Sequence, residues 1–344
     1  MKTVCSIFRI LMMMIPFNYK GRRDDFLSRL VLFIEHRSRL GIYGVQPIKS
    51  HVCILYTEKG IKIIKGHENA AHLHTVYHVL NRLKECGFRQ AVNYEHYPQG
   101  ELALPFGNKY WTLTPYVPSV SVFSYRTFEQ REQVLMLLRM FHQCGETALP
   151  TIKSPLPKLC LPTKWKERLR DFQKNHSRIS LYLSKNLFTI LTMWAEKSLS
   201  WSKQFFKAPA TAFSILHGDV ASHNVIPSRD GRLWLIDFDL LCTGPKEYEY
   251  IQLMQRFLSY TQWSFSSLFQ HPLIKEGATA KWVISLLLFP ADLLREWNQL
   301  CINPVSSTSR QQLNHLVQKT KMEIYFRQRL VSEATNYLFN ENKK

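Results

Sequence analysis

Acidic residues are scarce in this 344-residue chain: 26 Asp and Glu stand against 45 Lys and Arg, a formal charge of +19. Such a balance favours anionic partners, whether nucleotide, phosphorylated substrate, nucleic acid or an acidic matrix. Basic clusters lie at Lys20 to Arg23, Lys164 to Arg170 and Lys319 to Arg329. None is interleaved with aromatics in the manner of a nucleic-acid module, which argues against a specific nucleic-acid reader. Paired cysteine spacing is also missing. The seven cysteines, at 5, 53, 86, 144, 160, 242 and 301, are odd in number, which argues against a disulfide framework or zinc ribbon and for reduced thiols in a cytosolic-type compartment. No apolar run reaches the ~18 residues that cross a bilayer, so no membrane span is expected.

Low-complexity segments and internal repeats are absent too, whereas 45% of residues are hydrophobic and 13% aromatic. The chain is therefore globular rather than disordered, and long enough to bury about three-quarters of its unfolded surface in roughly two domains or lobes. The opening MKTVCSIFRILMMMIPF has the lysine and apolar run of a signal peptide, but Arg9 interrupts the run and no small-residue cleavage site follows. It reads as a buried N-terminal element, or as residues ahead of a start within Met12 to Met14.

A helix is expected from Asp25 to Arg39. Two β-rich runs follow, His51 to Thr57 and Ile61 to Lys65, around Glu58-Lys59-Gly60, which is a hairpin signal. Leu73, Val76, Tyr77, Leu80 and Leu83 recur at helical spacing, predicting a helix from about Glu68 to Cys86, with Gly87 as its C-terminal cap and Phe88 packing back onto the last turn. Lys109 to Val117 reads as a strand, and Pro115 and Pro118 make a hinge. Beyond it the pattern turns helical: Phe128 to Gln143, Trp165 to Leu183, Leu187 to Phe206, and most of Glu247 to Phe339. This order divides the chain into an N-terminal helical extension (1–40), a strand-rich lobe (41–115) and a helical lobe (116–344).

Within the helical lobe one segment is different. In LHGDVASHNVIPSRDGRLWLIDFDLL, Phe213 to Leu216 should be a buried strand delivering His217-Gly218-Asp219 into a loop. Val225 to Pro227 and Arg232 to Ile236 should then pair about a turn containing Asp230-Gly231. Asp219, Asn224 and Asp237 thereby converge at strand ends. Oxygen donors of this kind suit a hard divalent cation such as Mg²⁺ that shares phosphate oxygens, with one carboxylate left over as a base. A hairpin with capping aspartates is the bland alternative; three acids together would repel one another without a cation or donors to offset them.

These residues resemble a known family. HGDVASHN fits His-x-Asp-x-x-x-x-Asn, and Ile236-Asp237-Phe238-Asp239 fits the metal motif that follows it, in the aminoglycoside phosphotransferase and choline kinase-like superfamily. Gly60 to Lys65 resembles the strand that presents a nucleotide-binding lysine, and Leu138 to Gly145 the helix ending in leucine-x-x-phenylalanine-histidine. The HGDVA-x-HN form and IDFD ending look most like bacterial spore coat CotS-type proteins. The resemblance implies an α+β, bilobal protein-kinase-like fold, with a small antiparallel-sheet N-lobe and a large helical C-lobe, that takes ATP and Mg²⁺. Asp219 would be the catalytic base and His217 the brace of its loop. Asn224 and Asp237, with Asp239 assisting, would hold the metal. Lys65 would meet the α- and β-phosphates, and backbone groups from Thr114 through Tyr116 to Val117 the adenine edge.

Between Gly41 and Lys65 there is no Gly-x-Gly-x-x-Gly, and the acidic partner for Lys65 is sought at Glu68 or Glu85. Gly218 where protein kinases carry arginine, Asp239 where they carry glycine, and no Ala-Pro-Glu downstream argue against a protein kinase. A small-molecule or glycan hydroxyl is the expected acceptor, read by the helical insert between Pro150 and Ser214 and by the tail. The alternative is a catalytically degenerate kinase fold that serves as a structural or assembly component of the spore coat among other coat proteins. The resemblance implies a mother-cell cytoplasmic and spore coat location. Three further constellations are weaker. His67 and His72 are one residue too far apart for a zinc protease motif, and His74 and His78 have i, i+4 spacing but no third ligand. Ser222-His223 lacks a nucleophile elbow.

Overall fold

The computed structural model describes residues 26–206, 213–277, 280–302 and 307–340. The basic cluster at Lys20 to Arg23, Cys5, the opening apolar run and the Met12 to Met14 start lie outside the described residues. Contacts divide the chain into two compact units. One holds described residues up to Asn81 together with Ala91–Pro118; the other holds Arg82–Gln90 and the described residues from Ser119 onward.

The first unit begins with α1 (Phe26–Ser38) and is built on a five-stranded antiparallel sheet of order β1-β2-β3-β5-β4. Its strands are β1 (Ile42–Lys49), β2 (Val52–Thr57), β3 (Gly60–His67), β4 (Ala103–Phe106) and β5 (Lys109–Pro115). The expected hairpin is present, with Thr57 opposite Gly60, which has φ +95°. Ile64, Leu55, Cys53, Leu113 and Trp111 face Leu30, Val31 and Ile34 of α1 in one buried cluster. Strand alternation therefore places Ile61, Ile63 and Lys65 on the opposite face. Strands β1 and β4 were not expected from the sequence. Each occupies a sheet edge and carries a proline, Pro47 and Pro105, which edge strands tolerate because one row of N–H groups needs no partner.

Helix α2 (Ala70–Glu85) ends as expected: Gly87 has φ +102°, its N–H donates to Lys84 O (3.1 Å), and the Phe88 N–H donates to Leu83 O (2.9 Å). This double closure of the last turn is a Schellman motif.

The second unit is mostly helical: α3 (Phe128–Ala148), α4 (Leu161–Lys174), α5 (Lys185–Phe205), α6 (Glu247–Phe257), α7 (Lys281–Leu287), α8 (Ala291–Ile302) and α9 (Ser307–Asn340). Thr127 starts α3 with a reciprocal capping box to Gln130. The single helix expected from Trp165 to Leu183 is instead two, because Asn175 leaves helical geometry (φ −82°, ψ 9°) and only one turn, His176–Ile179, follows. Two small antiparallel pairs interrupt the helices: β6 (Phe213–Leu216) with β9 (Cys242–Pro245), and β7 (Val225–Pro227) with β8 (Leu233–Leu235). The kinase-like α+β fold expected from the sequence is the one observed. No described helix is long and apolar enough to cross a membrane.

Candidate active site

Strand β6 is held on both sides. Leu216 pairs with Cys242 of β9, and the Ser214 hydroxyl donates to His142 O of α3 at 2.9 Å. The chain leaves β6 through His217, Gly218 and Asp219. Gly218 has φ +85°, and a Cβ there would stand 2.1 Å from Leu240 O, a backbone atom. No side chain fits, which gives a physical reason for glycine at this position.

His217 is fully buried. Its Nε2–H donates to Ile236 O (2.9 Å), and its Nδ1 accepts the Asp219 N–H (3.3 Å). One ring thus ties the loop carrying Asp219 to the residue before Asp237. Asn224 is also buried; its Nδ2 donates to Asp219 O (3.0 Å) and Oδ2 (3.3 Å), and its carbonyl accepts the Ile236 N–H (3.0 Å). Asp237 has φ 66° and ψ 67°. A left-handed non-glycine residue costs about 1–3 kcal/mol and persists only where its surroundings over-determine it, often at functional sites. Asp239 is half-buried two residues on, whereas His223 is exposed. These hydrogen bonds tie the Asp219 loop and Asn224 to the backbone of Ile236, the residue before Asp237.

Two essential partners were not legible in the sequence. Glu249 in α6, fully buried, accepts the Gly218 N–H and the His142 Nε2–H, both at 2.7 Å. Burial pushes its carboxyl up, but the His142 and His217 rings and the Gly218 amide outweigh that and hold it below the usual carboxylate range. The other is Arg256, at the far end of α6, whose Nη2 donates to Asp219 Oδ1 at 2.8 Å. The repeat Glu-Tyr-Glu-Tyr at 247–250 was the only available signal, and it reads simply as a helix start.

Beneath the loop, the Tyr125 hydroxyl donates to Val220 O (2.7 Å), and the Tyr125 carbonyl accepts from Arg131 (2.9 Å). Arg131 Nε in turn donates to His271 Nε2 at 3.1 Å, so that nitrogen must carry a lone pair and Nδ1 must hold the proton shared with Glu132. Burial first, with Arg131 adding to it and Glu132 opposing, pushes His271 below its ordinary 6.5. A depressed histidine binds more protons unfolded than folded, so its contribution is complete above pH 6.5 and is lost as pH falls below it. We expect the thermal midpoint to begin falling below about pH 6.5, well before carboxylates titrate. His271→Gln should flatten that limb in a pH series of melts.

In the first unit Lys65 lies half-buried on β3 with Thr112 opposite it in β5. Ile54, Ile63 and Thr114, all half-buried, share its face. Tyr116 is exposed, and its N–H extends the β3–β5 ladder to Ile61 O at 3.4 Å. On the other face Lys62 pairs with Glu95 at 2.6 Å. Of the two acids considered for Lys65, Glu68 contacts Lys109 (3.5 Å) and Glu85 contacts Arg82. The β1–β2 connection is a tight turn at Ser50-His51, between paired Lys49 and Val52.

The remaining constellations dissolve. His67 ends β3 and contacts the Thr112 hydroxyl (3.1 Å), while His74 and His78 are exposed. Among the described residues no three His, Cys, Asp or Glu side chains are placed to hold a metal by themselves. Asn224, Asp237 and Asp239 offer hard oxygens, which fit Mg²⁺ when phosphate oxygens complete its shell.

A small antiparallel sheet followed by a helical unit with this loop defines a kinase-like phosphotransferase fold. Residues 60–271 match the model of the phosphotransferase enzyme family, and the chain belongs to that family. Among solved structures, an aminoglycoside phosphotransferase from Alicyclobacillus acidocaldarius is similar at 17% identity over 87% of this chain and 93% of that one, with TM-score 0.66. A spectinomycin phosphotransferase in complex with ADP and spectinomycin shares 14% identity over 84% and 93%, with TM-score 0.56. The choline kinase LicA from Streptococcus pneumoniae shares 13% over 86% and 100%, with TM-score 0.52. At these identities the likeness is one of fold. No curated protein sequence matches the chain.

Proposed function

We propose that this chain is an ATP-dependent phosphotransferase acting on the hydroxyl of a small molecule or glycan. The observation that carries the proposal is Asp219 held in one hydrogen-bonded loop with Asn224 and the Asp237 strand end. Asp219 accepts the proton of the acceptor hydroxyl as that oxygen bonds to the γ-phosphorus and the bridge to ADP breaks. Arg256 keeps the carboxylate oriented through its hydrogen bond to Oδ1. His217 braces the loop. Lys65 meets the α- and β-phosphates, with Ile54 and Ile63 beside it for the base and backbone from Thr114 through Tyr116 to Val117 at its edge. Asn224 and Asp237, with Asp239, hold Mg²⁺, which when bound neutralises phosphate charge. In this reading residues 41–115 serve the nucleotide and residues 116–344 serve chemistry and acceptor. The spore coat CotS-type group, with a mother-cell and coat location, is the setting that the HGDVA-x-HN and IDFD forms support.

One observation favours a second reading, a catalytically degenerate coat component. The Ser50-His51 turn stands where a glycine-rich phosphate loop would be. A thermal-shift titration separates the two. ATP with Mg²⁺ at 100 times its dissociation constant should add about 2.7 kcal/mol of stability, and Lys65→Ala should require far more nucleotide for the same shift. An unmoved melt at millimolar nucleotide supports the degenerate reading instead.

A further inference from the structure

The two basic clusters within the described residues differ in what surrounds them. In the tail, Lys319 meets Glu296 (2.9 Å) and Asp292 (3.2 Å), while Arg327 meets Asp292 and Glu323 (2.7 Å each) and lies over Trp263. Those charges are spent inside the fold. The cluster on α4 is not. The Arg168 guanidinium donates to Ala291 O (2.9 Å), and the Arg168 carbonyl accepts from Asn298 Nδ2 (2.9 Å), which fixes α4 against α8. Ala291 and Asn298 share one face of α8, and Arg295 lies on that face between them. Lys164 stands one turn before Arg168 on α4, the i, i+4 spacing that makes neighbours. Among the described residues Lys164, Arg168 and Arg295 make no ion pair with an acid.

This patch is anchored beside the catalytic loop. Leu159, just before α4, donates its N–H to Thr243 O, and Thr243 donates back to Pro157 O, both at 2.8 Å. Thr243 lies in β9, whose partner β6 delivers Asp219. Lys164 accordingly senses the Asp219 charge as well as those of Arg168 and Arg295. Burial, then the Arg295 charge, pushes Arg168 down to about 10, so it stays charged at neutral pH. The two acids within electrostatic reach are already engaged, Asp219 by Arg256 and Asp292 by Arg327 and Lys319. Three like charges are thus concentrated beside the strand pair that delivers the base, and the two carboxylates whose charge reaches them are shared with Arg256, Arg327 and Lys319.

We infer that Lys164, Arg168 and Arg295 form an oxyanion subsite, so that the acceptor is a hydroxyl compound carrying its own phosphate or carboxylate group rather than a neutral or cationic one. This deepens the phosphotransferase reading of the same site and rests on it for the word acceptor. Guanidinium pairs match both oxyanions in bidentate geometry, and Lys164 adds a mobile ammonium.

The test uses calorimetric titration of the full chain with four probes: glucose 6-phosphate, glucuronate, glucose and choline. One of the two anionic sugars should bind at least roughly ten-fold more tightly than glucose, the scale of one charge-assisted contact, and which one wins identifies the oxyanion. The Lys164→Ala/Arg295→Ala variant, altered at two exposed positions, should lose that preference. Equal or tighter binding of glucose or choline, binding of neither anion at millimolar concentration, or a preference that survives in the variant would each overturn the inference. ATP melts run in parallel keep the two claims apart: anion binding without nucleotide stabilisation retains the subsite and removes the phosphotransferase reading.

Discussion

Asp219→Asn is expected to slow phosphate transfer roughly 10²- to 10⁴-fold, the usual contribution of a positioned general base, with nucleotide binding retained. The substitution is nearly isosteric, and an amide oxygen at the same place can still accept from Arg256. It gives up the longer bond from Asn224 Nδ2 to Oδ2 (3.3 Å), and it removes the ability to take the acceptor's proton. The loss should therefore appear in kcat, with the KM for ATP and the melting temperature close to wild type. Unchanged turnover would mean that proton removal happens elsewhere or is not needed. Arg256→Ala is the informative companion because it leaves the base in place but unheld.

Glu249→Ala should be the most damaging single change to stability, on the order of 3–5 kcal/mol. It strips the buried His142 Nε2–H and the half-buried Gly218 N–H of the carboxylate that accepts from both. His142 and Glu249 are both buried, so the histidine N–H is left without an acceptor. Glu249→Gln keeps one acceptor oxygen but turns an NH₂ toward the other donor, so it should recover only part of the loss in urea midpoints. The pH dependence has a definite sign. A carboxyl held below its ordinary 4.5 stabilises the fold above that pH and loses its contribution as pH falls through it. The wild type should show this acid limb separately from the one near pH 6.5, and Glu249→Gln should lack it.

What could be read from the sequence was what is local in it. The β2–β3 turn, the Gly87-Phe88 closure, the start of α3 near Thr127 and the β7–β8 pair each depend on residues a few positions apart. His217 and Asn224 both reach the Ile236 backbone across a single short hairpin, which is a local link of the same kind. Glu249 and Arg256 escaped because their partners are 31 and 37 residues away, and nothing in a helical pattern marks which of its polar faces looks inward. Strands β1 and β4 escaped for a different reason. Gly44, Pro47 and Pro105 are poor strand residues, and only an edge position makes them acceptable. The helix break at Asn175 shows the reverse error, where apolar periodicity continued past a residue able to end the helix.

Gly218 illustrates how the structure sharpened a sequence observation. Its presence where protein kinases carry arginine separated this chain from that group. The approach of Leu240 O explains why no larger residue could stand there in this loop.

The central claim is that the Asp219 loop transfers phosphate from ATP to a hydroxyl. ³¹P NMR of the full chain with ATP, Mg²⁺ and a panel of hydroxyl compounds, among them sugar phosphates and uronates, tests it most directly. The account predicts a new phosphoester resonance that grows with ADP in the wild type and is absent with Asp219→Asn. ATP that stays intact with every compound, or a phosphoester formed equally by Asp219→Asn, would contradict it.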